Sequence, residues 1–178
     1  MKRVLALIGM VAALVVGGIA AYASTNATQT ITLTVPAAVS LTSNGDVAFG
    51  TVAGLTSKTG SFAITSNDAN GFQLAVSTTT ATYLEVGGAG CTPTHSISAS
   101  AIQVGAAPVT GQTSGTAGTA IAPFALSTTN TNVFSTVPTA QGTAISETVT
   151  YTVNGSAVPA NSGTCTYSVP TNWVIGAQ

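Results

Sequence analysis

SFAITSNDANGFQLAVST, residues 61–78, decides the fold class of this chain. Phe62 and Ile64 alternate with small or polar residues on the way into NDANG. Phe72, Leu74 and Val76 alternate on the way out. A period of two is the signature of a strand with one face in a core, because successive side chains point to opposite sides. Asn67, Asp68, Asn70 and Gly71 between the two runs are residues that bond their own backbone or tolerate positive φ. The stretch therefore predicts two strands and a tight turn, read as a hairpin.

The same alternation recurs outward in both directions. TQTITLTVP at 28–36 puts Ile31, Leu33 and Val35 on one face and Thr30, Thr32 and Thr34 on the other. VSL at 39–41 and DVAFGTV at 46–52 predict two further strands. Downstream, ATYLEV (81–86), HSISASAIQV (95–104, with a break near Ala101), IAPFALS (121–127), NVFSTV (132–137), AISETVTYTVN (144–154) and TCTYSV (164–169) continue the pattern, and TNWVIG adds a last strand. Asn154-Gly155 reads as a two-residue hairpin turn. Residues 105–120, GAAPVTGQTSGTAGTA, have no period and predict the longest, most mobile loop. No segment after residue 24 has a helical period. The expectation is an all-β chain, an antiparallel Greek-key sandwich of Ig-like or pilin-like type. A flat β-solenoid would need an internal repeat, and none is found.

Composition bounds the function. Only 4% of residues are charged, and 32 are Thr. A nucleic-acid binder needs Lys and Arg to displace counterions from phosphates, so no nucleic-acid partner is expected. Calcium and zinc sites need clustered carboxylates, His or Cys, so no metal and no cofactor is expected. His95 is the sole imidazole, and no G-x-S-x-G surrounds a serine. The chain is read as no enzyme, with no catalytic residues.

Lys2 and Arg3 precede an apolar run from Val4 to Ala23 that ends Ala21-Tyr22-Ala23. A basic start, apolar middle and A-x-A end make a secretory signal peptide over 1–23, leaving a single domain over 24–178. A retained anchor is the competing reading, and membrane contact is expected only through this segment if it stays uncleaved. After residue 23, Lys58 faces Asp46, Asp68, Glu85 and Glu147, a net charge of −3. So few titrating groups predict stability that varies little with pH. Glu85 reads as solvated beside Tyr83. Glu147, on a face with Val149 and Tyr151, reads as reaching water at a rim. In an exported chain Cys91 and Cys165 predict one disulfide, which would constrain the unfolded chain by roughly 4 kcal/mol.

The alternating first strand, the V-x-F-G-x-V element at 47–52 and the NDANGFQL stretch at 67–74 resemble secreted bacterial surface domains. The likeness is to WxL-type cell-surface domains and, more loosely, to fimbrial or spore-coat-type sandwich subunits. It covers roughly residues 28–78. The two W-x-L positions read Phe72-Gln73-Leu74 and Trp173-Val174-Ile175, both departures from the family pattern. The resemblance implies a non-catalytic protein displayed at the cell surface. Two functions follow as expectations. One is a surface-layer or filament subunit that self-associates, with Thr30, Ile31, Leu33 and Val35 as a candidate donor strand. The other is an adhesin or polysaccharide- or cell-wall-binding module that uses loop 105–120.

Overall fold

Every strand of the described chain pairs antiparallel, and almost none of it is helical. The computed structural model describes residues 32–33, 35–50, 52, 54–87, 95–159 and 165–178. The chain divides into two units, 1–35 and 36–178. The signal-peptide expectation and Cys91 lie outside the described residues. Of the first unit Thr32, Leu33 and Val35 are described, and none is in a strand.

The second unit holds thirteen described strands: β1 (Val39–Ser43), β2 (Leu55–Ser66), β3 (Phe72–Thr78), β4 (Thr82–Gly87), β5 (Ser96–Ser98), β6 (Ile102–Ala106), β7 (Thr119–Ala120), β8 (Phe124–Ala125), β9 (Thr131–Asn132), β10 (Phe134–Thr136), β11 (Gly142–Asn154), β12 (Cys165–Tyr167) and β13 (Thr171–Ala177). They form sheets in the orders β1-β2-β11-β6-β8, β13-β3-β9, β12-β4-β5 and β10-β7. β2 and β11 are the long central pair, in register from Ile64 opposite Ile145 to Leu55 opposite Asn154. Ile64, Val104, Ile145 and Val149 from the first sheet and Phe72, Leu74 and Val76 from the second enter one core. The arrangement is sandwich-like, with inner faces apolar and outer faces built of Thr, Ser and Ala.

The stretch 61–78 folds differently from the hairpin its turn residues suggest. β2 and β3 lie in different sheets, so the turn carries the chain from one layer to the other. Apolar side chains on both strands face the same core from opposite sides, which alternation alone cannot distinguish from pairing. Asp68 Oδ1 accepts the Asn70 amide at 2.9 Å, closing the turn. Gly71 has φ +98°, and Phe72 N donates to Pro138 O at 3.0 Å. A Cβ on Gly71 would meet that Pro138 oxygen, which is why glycine stands there.

Three further expectations change. Residues 46–50 and Val52 form no strand; Gly45 and Gly50, both at positive φ, bend the segment. Asn154 does not open a hairpin: its Oδ1 accepts from Ser156 N and caps a 3-10 turn, Gly155–Ala157. Loop 105–120 is tied down. Thr110 N donates to Ser146 O at 2.9 Å, and Ser146 N returns to Thr110 O at 2.8 Å. Thr113 N and Ser114 O both bond Gln141, and Val109 is buried. The missing period reflects a segment stitched to β11 and the residues before it, with its backbone groups satisfied there.

Candidate functional site

Two places in the described fold gather polar or aromatic groups. The first is a groove of about 750 Å³. Leu41 and Ser43 of β1 form one wall, and Thr171, Asn172 and Trp173 of β13 form the other; β1 and β13 run beside each other, each the edge strand of its sheet. Phe62 and Tyr151 line the floor, and the bend at 45–49 closes one end. Trp173 is held by two contacts. Its ring lies 4.9 Å from that of Phe62, and its Nε1–H donates to the Tyr151 hydroxyl at 3.0 Å. Burial pushes the Tyr151 phenol above its ordinary range, against the smaller pull of its bonds from Thr171 and Trp173. Asp46 is the one charged residue of the lining. A half-buried trough of aromatic faces, hydroxyls and one amide suits an uncharged ligand or an extended apolar segment.

The second place is a polar cluster on the sheet β12-β4-β5. Alternation along β4 runs opposite to the sequence reading: Leu84 is 61% exposed and Glu85 is buried. Glu85 sits opposite Tyr167 in the ladder, and its Oε2 accepts the Tyr167 hydroxyl at 3.3 Å. The same oxygen lies 3.0 Å from Nδ1 of His95, whose main-chain oxygen accepts the Glu85 amide. Burial and then the Glu85 charge raise the Tyr167 phenol. Both contacts meet Oε2, while the buried Oε1 has no partner, so the group is only half satisfied. Glu85 and His95 form an acid–imidazole pair. The arrangement ties β4 and β12 to the residue that leads into β5.

Glu147 is also corrected. It reaches no water: its side chain is wholly buried in β11, opposite Phe62. Oε1 accepts the Ala107 amide at 3.3 Å, while Oε2 has no partner. Burial raises its pKa to about 8, which the amide bond only partly offsets. The group is thus a neutral carboxylic acid at neutral pH. Lys58 is exposed and stands opposite Tyr151, a full four ladder positions from Glu147, and the described residues hold no ion pair between them.

Of the residues singled out in sequence, Cys165 lies on β12 and is not a free thiol, while Cys91 is outside the described residues. Leu33 is 82% and Val35 64% exposed; Thr30 and Ile31 are outside the described residues. Among the described residues no cluster of three or more His, Cys, Asp or Glu could hold a metal, and no helix is long and apolar enough to cross a membrane. Sequence reasoning missed the groove altogether. It is built from segments far apart in the chain, and its only local sign was the lone Trp173. No protein-family model matches the chain, and no curated protein matches it.

Proposed function

We propose that this is a non-catalytic, exported cell-surface structural protein, a subunit of a layer or filament that associates with copies of itself. In this reading residues 1–23 are removed on export, 24–178 form a Greek-key, pilin-like sandwich, and Cys91 bonds Cys165. One observation carries it. The surface offers few charges to keep neighbours apart, and β13, an edge strand of seven residues, contains no charge and no proline. Soluble monomers normally blunt such edges with Lys, Pro or bulges, because unpaired N–H and C=O groups template further strands.

Unboiled surface extracts test the reading. High-molecular-mass ladders that collapse to monomer on boiling are expected, with regular layers or filaments under the electron microscope. A protein recovered only as monomer from the medium would end the proposal. Titration of the denatured, unreduced protein should find no free thiol, and a mature N-terminus at Ser24 should be read by sequencing.

The groove favours a second reading, an adhesin or polysaccharide-binding module. Trp173, Tyr151 and Asn172 offer the aromatic face and neutral hydrogen-bonding groups that sugars use. Retention on insoluble cell wall, lost in Trp173→Ala while the variant stays folded, would favour it over self-association.

A further inference from the structure

We propose that Asn70 is a site of spontaneous covalent modification, at which the Gly71 main-chain nitrogen attacks the Asn70 side chain and converts it to an isoaspartate link. The inference stands apart from the self-association reading and holds whichever function the chain has.

Asn-Gly is the dipeptide in which this reaction meets least obstruction, because glycine has no Cβ to keep its nitrogen from the preceding side chain. The chain has three such pairs, Asn44-Gly45, Asn70-Gly71 and Asn154-Gly155. The fold separates them. At the first, both reacting groups are engaged: Asn44 Nδ2 donates to Ser61 Oγ at 2.9 Å, and Gly45 N donates to Ser43 Oγ at 3.2 Å. At the third, Asn154 Oδ1 accepts the Ser156 amide at 3.2 Å, and Gly155 N donates to Gly54 O at 2.9 Å. In both pairs hydrogen bonds must break before nitrogen can reach carbon. Asn70 differs. It is exposed, and among the described residues neither its side-chain amide nor Gly71 N makes a hydrogen bond. Only its own main-chain N is held, by Asp68 Oδ1 at 2.9 Å. The two groups that must meet are unengaged at this pair and at neither of the others.

The chemistry needs water alone. A bond forms between Gly71 N and Asn70 Cγ, the Cγ–Nδ2 bond breaks, and ammonia leaves with the Gly71 amide proton. Water then opens the five-membered imide. Breaking its Cγ–N bond gives aspartate. Breaking the bond from the Asn70 main-chain carbonyl carbon to Gly71 N gives isoaspartate, in which the backbone runs through the former side chain. Nothing is oxidised or reduced.

The place gives the change a consequence. The turn joins β2 to β3, which lie in different sheets. Immediately after Asn70, Gln178 N donates to Gly71 O and Phe72 N donates to Pro138 O, both at 3.0 Å. An isoaspartate adds one backbone atom just before these bonds, where even a Cβ on Gly71 would run into the Pro138 carbonyl. It also sets a new carboxylate two residues from Asp68, whose buried Oδ2 has no partner. Both bonds are therefore weakened, and with them the tie from the turn to the end of β13.

The test holds the full chain, folded, in mildly alkaline buffer and follows each Asn-Gly pair by peptide mass mapping. Isoaspartate is told from aspartate by its backbone fragmentation. Asn70 should react at least tenfold faster than Asn44 or Asn154. In concentrated urea, where no fold protects them, the three rates should converge. Asn70→Ser should abolish the product and leave the circular dichroism unchanged, since only the main-chain N of this residue is used. In the purified isoaspartate form, the amides of Phe72 and Gln178 should exchange with solvent at least tenfold faster than in the parent. Asn70→Asp adds the charge without the extra backbone atom and should leave those amides protected. Earlier reaction at Asn44 or Asn154, or an Asn70 that reacts at least tenfold more slowly folded than in urea, would overturn the site. Unchanged exchange in the isoaspartate form would overturn the loosened turn.

Discussion

Glu147 shows how one buried atom sets a property of the whole protein. Its carboxyl holds a proton in the fold up to about pH 8 and releases it near 4.5 when the chain unfolds. Between those values the folded state binds more protons, so the slope of unfolding free energy against pH is negative. Stability is full below about pH 4.5, falls as pH rises to about 8, and levels off above. Across the interval the loss is at most roughly 5 kcal/mol. This reverses the expectation of flat pH dependence, which counted charges without asking where they lie. Urea denaturation at successive pH values should show the decline, and Glu147→Gln should abolish most of it. A decline unchanged in that variant would assign the effect elsewhere. Gly115 is a second such position. It has φ +83°, and a Cβ there would run into the Thr139 carbonyl. Gly115→Ala should lower stability by at least about 1 kcal/mol, measured the same way.

At the scale of elements, the β2–β3 connection governs how the layers are joined. Asn67 binds both the carbonyl of Pro36 and the amide of Ala38, and its own amide donates to Ala38 O. Asn67→Ala removes the two side-chain bonds and keeps the backbone one. The Ala38 amide should then exchange with solvent at least tenfold faster, while amides of β11 keep their protection. Unchanged exchange at Ala38 would mean that β1 is held by its ladder with β2 alone. This connection also marks how far sequence could be read. Period-two patterning located β2, β3, β11 and β13, because their inner residues really are apolar. It could not tell paired neighbours from strands in opposite layers, since both arrangements bury the same side chains. Along β4 it chose the wrong face: Glu85 is inside only because Tyr167 and His95, 82 and 10 residues away, supply its donors. Loop 105–120 looked free because most of its bonds run to residues 134–150, outside its own sequence.

For the molecule as a whole, the groove and the scarcity of charge belong together. The groove draws on β1, β2, β11, β13 and the bend at 45–49, so no local window of sequence contains it. The charge count was readable at once, and its consequence is a prediction about salt. Contacts between copies would be made by Thr, Ser and apolar side chains, with Lys58 the only basic residue after the first three. Screening acts only on charges, and with a net charge of −1 over the full sequence, or −3 in the proposed mature form, the repulsion between copies is weak at any ionic strength. The concentration at which ladders or filaments form should therefore change less than about threefold between about 0.05 and 0.5 M NaCl. Sedimentation or light scattering across that range checks it. A tenfold loss of association at high salt would require ion pairs across the contact. The described acids have only Lys58 and His95 to meet, and His95 is already engaged by Glu85. That result would therefore place Lys58 in the interface, on the exposed part of β2, and move the contact away from the uncharged edge of β13.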